Sequence, residues 1–349
     1  MKAVGLYKYL PIDDENSLVD LEVPKPEPKP RDILVKIEAI SINPIDAKIR
    51  APKEGEENPA KILGWDASGI VEAVGSEVTL FNKGDEVFYA GDLTRQGSNA
   101  QYQIVDERIV GKKPKSLSFE QAAALPLTSI TAYESLFDRL KIDFNGADSG
   151  KTILIIGGAG GVGSIAIQLA KLAGLKVIAS ASREQTIDWV KNLGADEVVN
   201  HRQKMKAQIE ALKHEYVDYI ALFNDTDSHW LDVAEMIKPQ GHIVSIVANN
   251  EPLDMLAIRS KSISFSWELM FTRAMFETDD MIEQHNLLNK IASLIDEGKI
   301  QTTLDKVLSP FNAKTMRQAH ALIEAGTAKG KIVISGLTGI EHTLIREKT

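Results

Sequence analysis

The chain has 349 residues, 44% of them apolar and 26% charged, with a formal net charge of −9; single cores rarely grow beyond roughly 250–300 residues, so two domains are expected. An acidic balance without a basic block argues against nucleic acid or an anionic membrane as partner, and no run approaches the roughly 18 apolar residues of a membrane-spanning helix. Cysteine is absent, which excludes disulfides, thiolate nucleophiles and every cysteine-containing zinc site.

The N-terminal "MKAVGLYKYLPIDDENS" has no long apolar core and soon turns acidic, so it does not read as a secretory signal, and a cytoplasmic protein is expected. "PKPEPKP" (24–30) reads as an extended spacer, because proline fixes φ and removes a donor. "ILVKIEAISI" (33–42) alternates apolar and polar residues at period two, as a half-buried strand does. "SGIVEAVGSEV" and "GDEVFYA" follow as strands, divided by the turn signal "NKGD".

From "KTILII" onward, strand and helix alternate. "GVGSIAIQLAKLAG" carries apolar residues at helical spacing and ends on glycine; "LKVIAS" is a strand and "REQTIDWVKNLG" a helix closed by Gly194. "EVVN", "QKMKAQIEALKH", "VDYIALF", "HWLDVAEMIKP" and "GHIVSIV" continue the pattern, and "SISFSW" (262–267) is a candidate sixth strand. Strands interleaved with helices imply a parallel sheet covered on both faces. The tail reads as helices and one strand, "GKIVIS".

The cluster "GGAGGVG" (157–163) contains Gly158, Gly160 and Gly163 as G-x-G-x-x-G, after an expected strand and at the start of an expected helix. In that context the glycines permit a tight turn and let the backbone approach a pyrophosphate at the helix N-terminus. Gly161, Val162 and Asn224, which follows "VDYIALF", complete the candidates there. An NAD site would place a carboxylate at the end of the next strand, about 20 residues on. "IASASREQ" offers none before Glu184; Ser180, Ser182 and Arg183 stand there instead. Two hydroxyls and a planar guanidinium suit a 2′-phosphate, so NADP(H) is the expected cofactor. The seven histidines begin at His201, and no two lie four apart, so no helical pair is available for a metal.

"PEPKPRDILVKIEAISINPIDAK", "LGWDASGIVEAVGSEV", "KGDEVFYAG", "QGSNAQYQIVD", "SFEQAAALPLTSITAYESL", "GGAGGVGSIAIQLAK" and "QAHALIEAGTAKGKIVI" together resemble the medium-chain dehydrogenase/reductase superfamily. Within it the chain is similar to the zinc-free quinone oxidoreductase branch, often called zinc-type alcohol dehydrogenase-like. The resemblance implies an α/β chain: a Rossmann doubly wound parallel sheet at 127–267, and a GroES-like, mainly β catalytic domain in two pieces, 1–126 and 268–349. Where zinc members carry Cys, His and Cys, this chain places Asn43, Trp65 and Leu127, and "GDLTRQGSNAQY" crosses the region of the structural zinc lobe. No bound metal is expected.

Without a metal, dehydrogenating a simple alcohol loses its main electrostatic support. Hydride addition to a conjugated acceptor is easier, because the charge delocalises as an enolate or hydroquinone anion. The expected function is therefore NADPH-dependent reduction of a quinone or α,β-unsaturated carbonyl. An alcohol or aldehyde oxidoreductase, or a non-catalytic NADPH-binding protein, are the alternatives. Asn43 can donate an amide hydrogen to a carbonyl oxygen or cofactor ribose, or serve only as the turn residue before Pro44. Asp46 is expected to fix that loop, and Trp65 to wall the pocket. Thr131, with Thr128 one turn earlier, matches a threonine at the nicotinamide in the family. His201 stands where related reductases carry a tyrosine near the adenosine phosphate. "SWELMFTRAMF" concentrates Trp267, Phe271 and Phe276 for a substrate cleft, a dimer seam or plain core. The resemblance also implies a homodimer in which residues 262–267 continue the sheet across a two-fold axis.

Overall fold

A computed structural model describes residues 1–337. The chain divides into two compact units, Met1–Leu127 with Phe271 onward, and Thr128–Met270.

The first unit opens with β1 (Lys2–Lys8), β2 (Val19–Glu22), β3 (Asp32–Ile42), α1 (Pro44–Arg50), β4 (Glu56–Ile62) and β5 (Ala67–Val74). It continues through β6 (Glu86–Tyr89), β7 (Tyr102–Asp106), β8 (Val110–Lys112), α2 (Phe119–Ala123) and the start of α3 (Pro126–Tyr133). A small sheet has the order β2-β1-β4. Its edge strand β4, "EENPAKI", contains a proline and charges, which an edge tolerates. β3 runs through the centre of the larger sheet. Period-two alternation suggests one wet face, yet β3 is buried along nearly its whole length: Ile33, Val35 and Ile37 are enclosed, and so are Leu34, Ile40 and Ile42.

The second unit carries β9 (Thr152–Ile156), α4 (Gly161–Leu172), β10 (Lys176–Ser180), α5 (Glu184–Asn192), β11 (Glu197–Val199) and α6 (Met205–Ala211). Then come β12 (Val217–Leu222), α7 (Thr226–Met236), β13 (Ile237–Ser245), α8 (Leu256–Arg259) and β14 (Ser264–Trp267). All pairings are parallel and the order is β11-β10-β9-β12-β13-β14, that of a doubly wound dinucleotide fold. Central β9, "TILII", is buried at every residue, as a strand covered on both faces must be. β14 begins two residues later than the apolar pattern suggests, with Ser262 in a positive-φ turn (φ 53°).

The chain returns to the first unit through α9 (Thr272–Met275), α10 (Glu283–Asp296), β15 (Leu304–Leu308), α11 (Ala313–Glu324) and β16 (Lys331–Ser335). The tail therefore adds two strands rather than one: β15 pairs parallel with β16, which pairs antiparallel with β3. The larger sheet runs β15-β16-β3-β5-β6-β8, with β7 also on β3. Among the described residues no helix is long and apolar enough to cross a membrane.

Candidate functional site

Two groupings of polar residues stand out, one in each unit. In the first, the antiparallel register brings the end of β3 beside the start of β16 (Ile42 opposite Ile332). Lys331, 3% exposed, spends its three donors inside the fold. They reach Ile42 O at 3.0 Å, Asp66 Oδ2 at 3.0 Å and Asn43 Oδ1. Asp66 is fully buried; its Oδ2 also accepts from Asn43 Nδ2 at 2.8 Å, and its Oδ1 accepts from Leu127 N–H at 2.8 Å. One carboxylate thus ties together the segments holding Asn43, Trp65 and Leu127.

The Lys331 contact fixes the Asn43 amide, since only its oxygen can accept from an ammonium. Its nitrogen therefore points to Asp66 and, at 3.4 Å, to Trp65 O. Asn43 is 1% exposed and precedes α1. Asp46 lies in the first turn of α1, where its Oδ2 accepts from Asn43 N–H at 2.8 Å while Oδ1 is buried without a partner. Burial pushes the Asp46 carboxyl up to about 7; the Asn43 N–H and Lys331 oppose the rise and Asp66 adds to it. Asp66 is raised as well, by burial, against the pull of Lys331, Leu127 N–H and Asn43. Trp65 is fully buried, its Nε1 donating to Asp92 O at 3.2 Å and its ring meeting Phe271 edge-on at 6.3 Å. Phe271 is buried, whereas Trp267 and Phe276 are 45% and 70% exposed. Thr128 and Thr131 lie on α3, just past Leu127, and are both buried.

These donors do not fit a zinc ion. Tryptophan and leucine side chains offer no ligand atom, an ammonium carries the metal's own charge, and among the described residues no three His, Asp or Glu side chains group to hold a metal. Asp66 and Lys331 escape a reading of the sequence. A charged residue opening the apolar run "KIVI", and another inside "GWDASG", were the available signals.

In the second unit the glycine cluster follows central β9. Gly157 has φ 87°, and a Cβ on it would lie 3.1 Å from Asn224 Cβ. At Gly163 a Cβ would lie 2.3 Å from Gly157 O, so the turn closes only on glycine. At Gly158 it would press on Ala179 at 2.9 Å. Gly160, the exposed N-cap of α4, is different: the nearest atom to its added Cβ is 3.4 Å away. Ser164 N–H makes the first helical bond back to Gly160 O, so the N–H groups of Gly161, Val162 and Gly163 lie ahead of the helix's ladder. Unladdered N–H groups at a helix start suit a pyrophosphate, and the residues fit a dinucleotide.

Around it, Ser180 is buried and braces the turn, its hydroxyl accepting from Gly157 N–H at 2.9 Å. That hydroxyl is engaged inside the fold, and Ser182, two residues on, is half-buried. Arg183 is exposed at the N-cap of α5, and Glu184 is the first helical residue. Asn224 is exposed at the end of β12. His201, two residues past β11, is half-buried and meets His229 edge-on at 6.4 Å.

The alcohol dehydrogenase GroES-like domain family matches residues 29–115, and the zinc-binding dehydrogenase family matches residues 193–334. A zinc-type alcohol dehydrogenase-like protein of Staphylococcus aureus (strain MSSA476) is 47% identical over 336 residues, covering 96% of this chain and all of its own. A solved alcohol dehydrogenase-type structure from Rhizobium etli CFN 42, described as zinc-dependent, has 50% identity and a TM-score of 0.92, covering 96% of this chain and 98% of its own. The Escherichia coli quinone oxidoreductase complexed with NADPH has 25% identity and a TM-score of 0.79, covering 96% of this chain and 100% of its own. The chain belongs to the medium-chain dehydrogenase/reductase superfamily, as an oxidoreductase of the nicotinamide-cofactor type among zinc-type alcohol dehydrogenase-like and quinone oxidoreductase relatives.

Proposed function

We propose that this chain is a zinc-independent, NADPH-dependent reductase of quinones or α,β-unsaturated carbonyls, working as a homodimer. The observation that carries the reading is the Lys331–Asp66 pair, which sits where the ligand-bearing segments of a zinc enzyme would meet. A simple alcohol needs a Lewis acid to become an alkoxide, whereas a conjugated acceptor spreads the incoming charge over its own atoms. A bound nicotinamide would supply the hydride. The protein's share is to hold Asn43 in one amide orientation, to keep water away with Trp65, and to keep a proton on Asp46 near neutral pH. Support for NADP over NAD comes from β10, which ends without a carboxylate and places Ser182 and exposed Arg183 there. The NADPH-bound Escherichia coli neighbour points the same way.

The test is NADPH and NADH oxidation across quinones, enals, enones, and simple aldehydes and alcohols. Turnover confined to the conjugated acceptors, with NADPH preferred, is expected. Arg183→Glu should weaken NADPH binding by about 2 kcal/mol, the scale of a lost charge-assisted contact, and leave NADH unharmed. Alcohol oxidation at a comparable rate would overturn the substrate assignment; equal losses for both cofactors would overturn the role of Arg183.

A further inference from the structure

The end of the cofactor sheet gathers two histidines beside the arginines of its outer strands. β10 and β11 lie side by side, with Ser180 opposite Val199, and Ala181 N–H donates to Val199 O at 2.9 Å. The segments leaving these two strands are therefore neighbours: Ser182 and Arg183 on one, His201 and Arg202 on the other. His229, 8% exposed on α7, stands behind His201. His201 Nδ1 is buried without a hydrogen-bond partner.

We propose that His201, backed by His229, makes recognition of the 2′-phosphate proton-linked, so that NADPH binds with uptake of a proton and NADH does not. The inference rests on the NADP reading above. Burial, then the charges of His229, Arg202 and Arg183, hold the His201 imidazole below its usual range. Burial lowers His229 too, against the opposing pull of Asp225 and Asp232. His201 is thus neutral in the free protein at neutral pH. A 2′-phosphate, carrying roughly −1.5 to −2 charges, reverses the local sign once Arg183 holds it. The imidazolium then becomes the favoured form. A group that binds a proton more tightly in the complex makes affinity rise as pH falls. NADH brings no charge to this corner, so its affinity lacks that dependence.

Calorimetric titration at pH 7.5, in buffers of different ionisation enthalpy, counts the protons directly. At that pH a free phosphate, with its second pKa near about 6, is already dianionic and contributes little. The wild type should take up a fraction of a proton with NADPH and none with NADH, and His201→Gln should abolish the uptake. The NADPH-to-NADH affinity ratio should rise about tenfold from pH 8 to pH 6.5 in the wild type and stay flatter in the variant. Equal proton counts for the two cofactors, with NADPH still preferred, would overturn the proton linkage and leave the NADP reading standing. Full uptake retained in His201→Gln would overturn it as well. No preference for NADPH at any pH would instead overturn the NADP reading, and this inference with it.

Discussion

The two units place polar groups by opposite means. In the first, the Lys331–Asp66–Asn43 cluster is closed: buried donors and acceptors satisfy one another, and the side chains do the holding. In the second, the glycine turn is open: it is built mostly of glycine, its Gly160 is exposed, and the first backbone N–H groups of α4 precede the helix's own ladder. A closed cluster fixes geometry and protonation before any ligand arrives, at the risk of a large penalty if one member is lost. An open turn keeps its groups for the ligand, and at its exposed positions loses function before it loses stability.

The largest effect expected from this contrast is at Lys331. Lys331→Met leaves Asp66 buried without its cation, and breaking a buried pair costs about 3–5 kcal/mol. Urea unfolding should show that loss, and Lys331→Arg should recover part of it. A Met variant within about 1 kcal/mol of wild type would mean that the cluster is wetter than its burial implies.

Asp46 sharpens the same point. Its carboxyl is raised to about 7, against about 3.9 in an unfolded chain. Between those values the folded chain keeps a proton that the unfolded chain has released. The contribution to stability is full at low pH and is lost as pH rises through about 7, with a slope of up to about 1.4 kcal/mol per pH unit. Asp46→Asn keeps an acceptor for Asn43 N–H and removes the titration. Urea midpoints from pH 5 to 8 should fall less steeply in the variant; parallel curves would show that Asp46 is ionised throughout.

Much of this was legible in the sequence, and unevenly. "KTILII" with its glycines announced β9, the turn and α4, because every determinant lies within about twenty neighbouring residues. β15 is not legible in the sequence because "LDKVL" is short and charged, and its pairing partner β16 is what makes it a strand. Asp66 and Lys331 escape the sequence for a related reason: they are 265 positions apart, and only the β3–β16 register brings them together. Ser180 shows the reverse case. It ends β10 beside the glycine turn, as its place in the sequence implies, but its hydroxyl accepts from Gly157 N–H, a contact set by rotamer and not by order in the chain.

The open turn predicts a split between two glycines of the same motif. Gly163→Ala drives a methyl to 2.3 Å from Gly157 O, an overpacking of about 1–3 kcal/mol, so stability and NADPH binding should fall together. Gly160→Ala meets nothing closer than 3.4 Å, so unfolding should be nearly unchanged while NADPH affinity drops. A Gly160 variant that binds NADPH normally would remove the pyrophosphate from this turn.

The smallest effect concerns the second open feature of the cofactor unit, the edge strand β14. It pairs with β13 on one side and ends the sheet, and such an edge offers its outward groups to another chain. The register says which groups these are. Glu268 N–H donates inward to Ser245 O at 2.9 Å, and in an extended strand successive residues turn their N–H groups to opposite sides. Ser264 and Ser266 share the inward parity; Phe265 and Trp267 face the open edge. Proline at Ser264 would therefore loosen β14 from its own sheet, whereas Trp267→Pro removes an outward donor from an exposed residue. If the homodimer forms across this edge, Trp267→Pro should weaken it by about 1 kcal/mol, several-fold in dissociation constant, with unfolding of the monomer little changed. Light scattering over a dilution series would show it. A wild type that already scatters at 38.3 kDa at micromolar concentration would refute the dimer, and a dimer indifferent to Trp267→Pro would place its seam elsewhere.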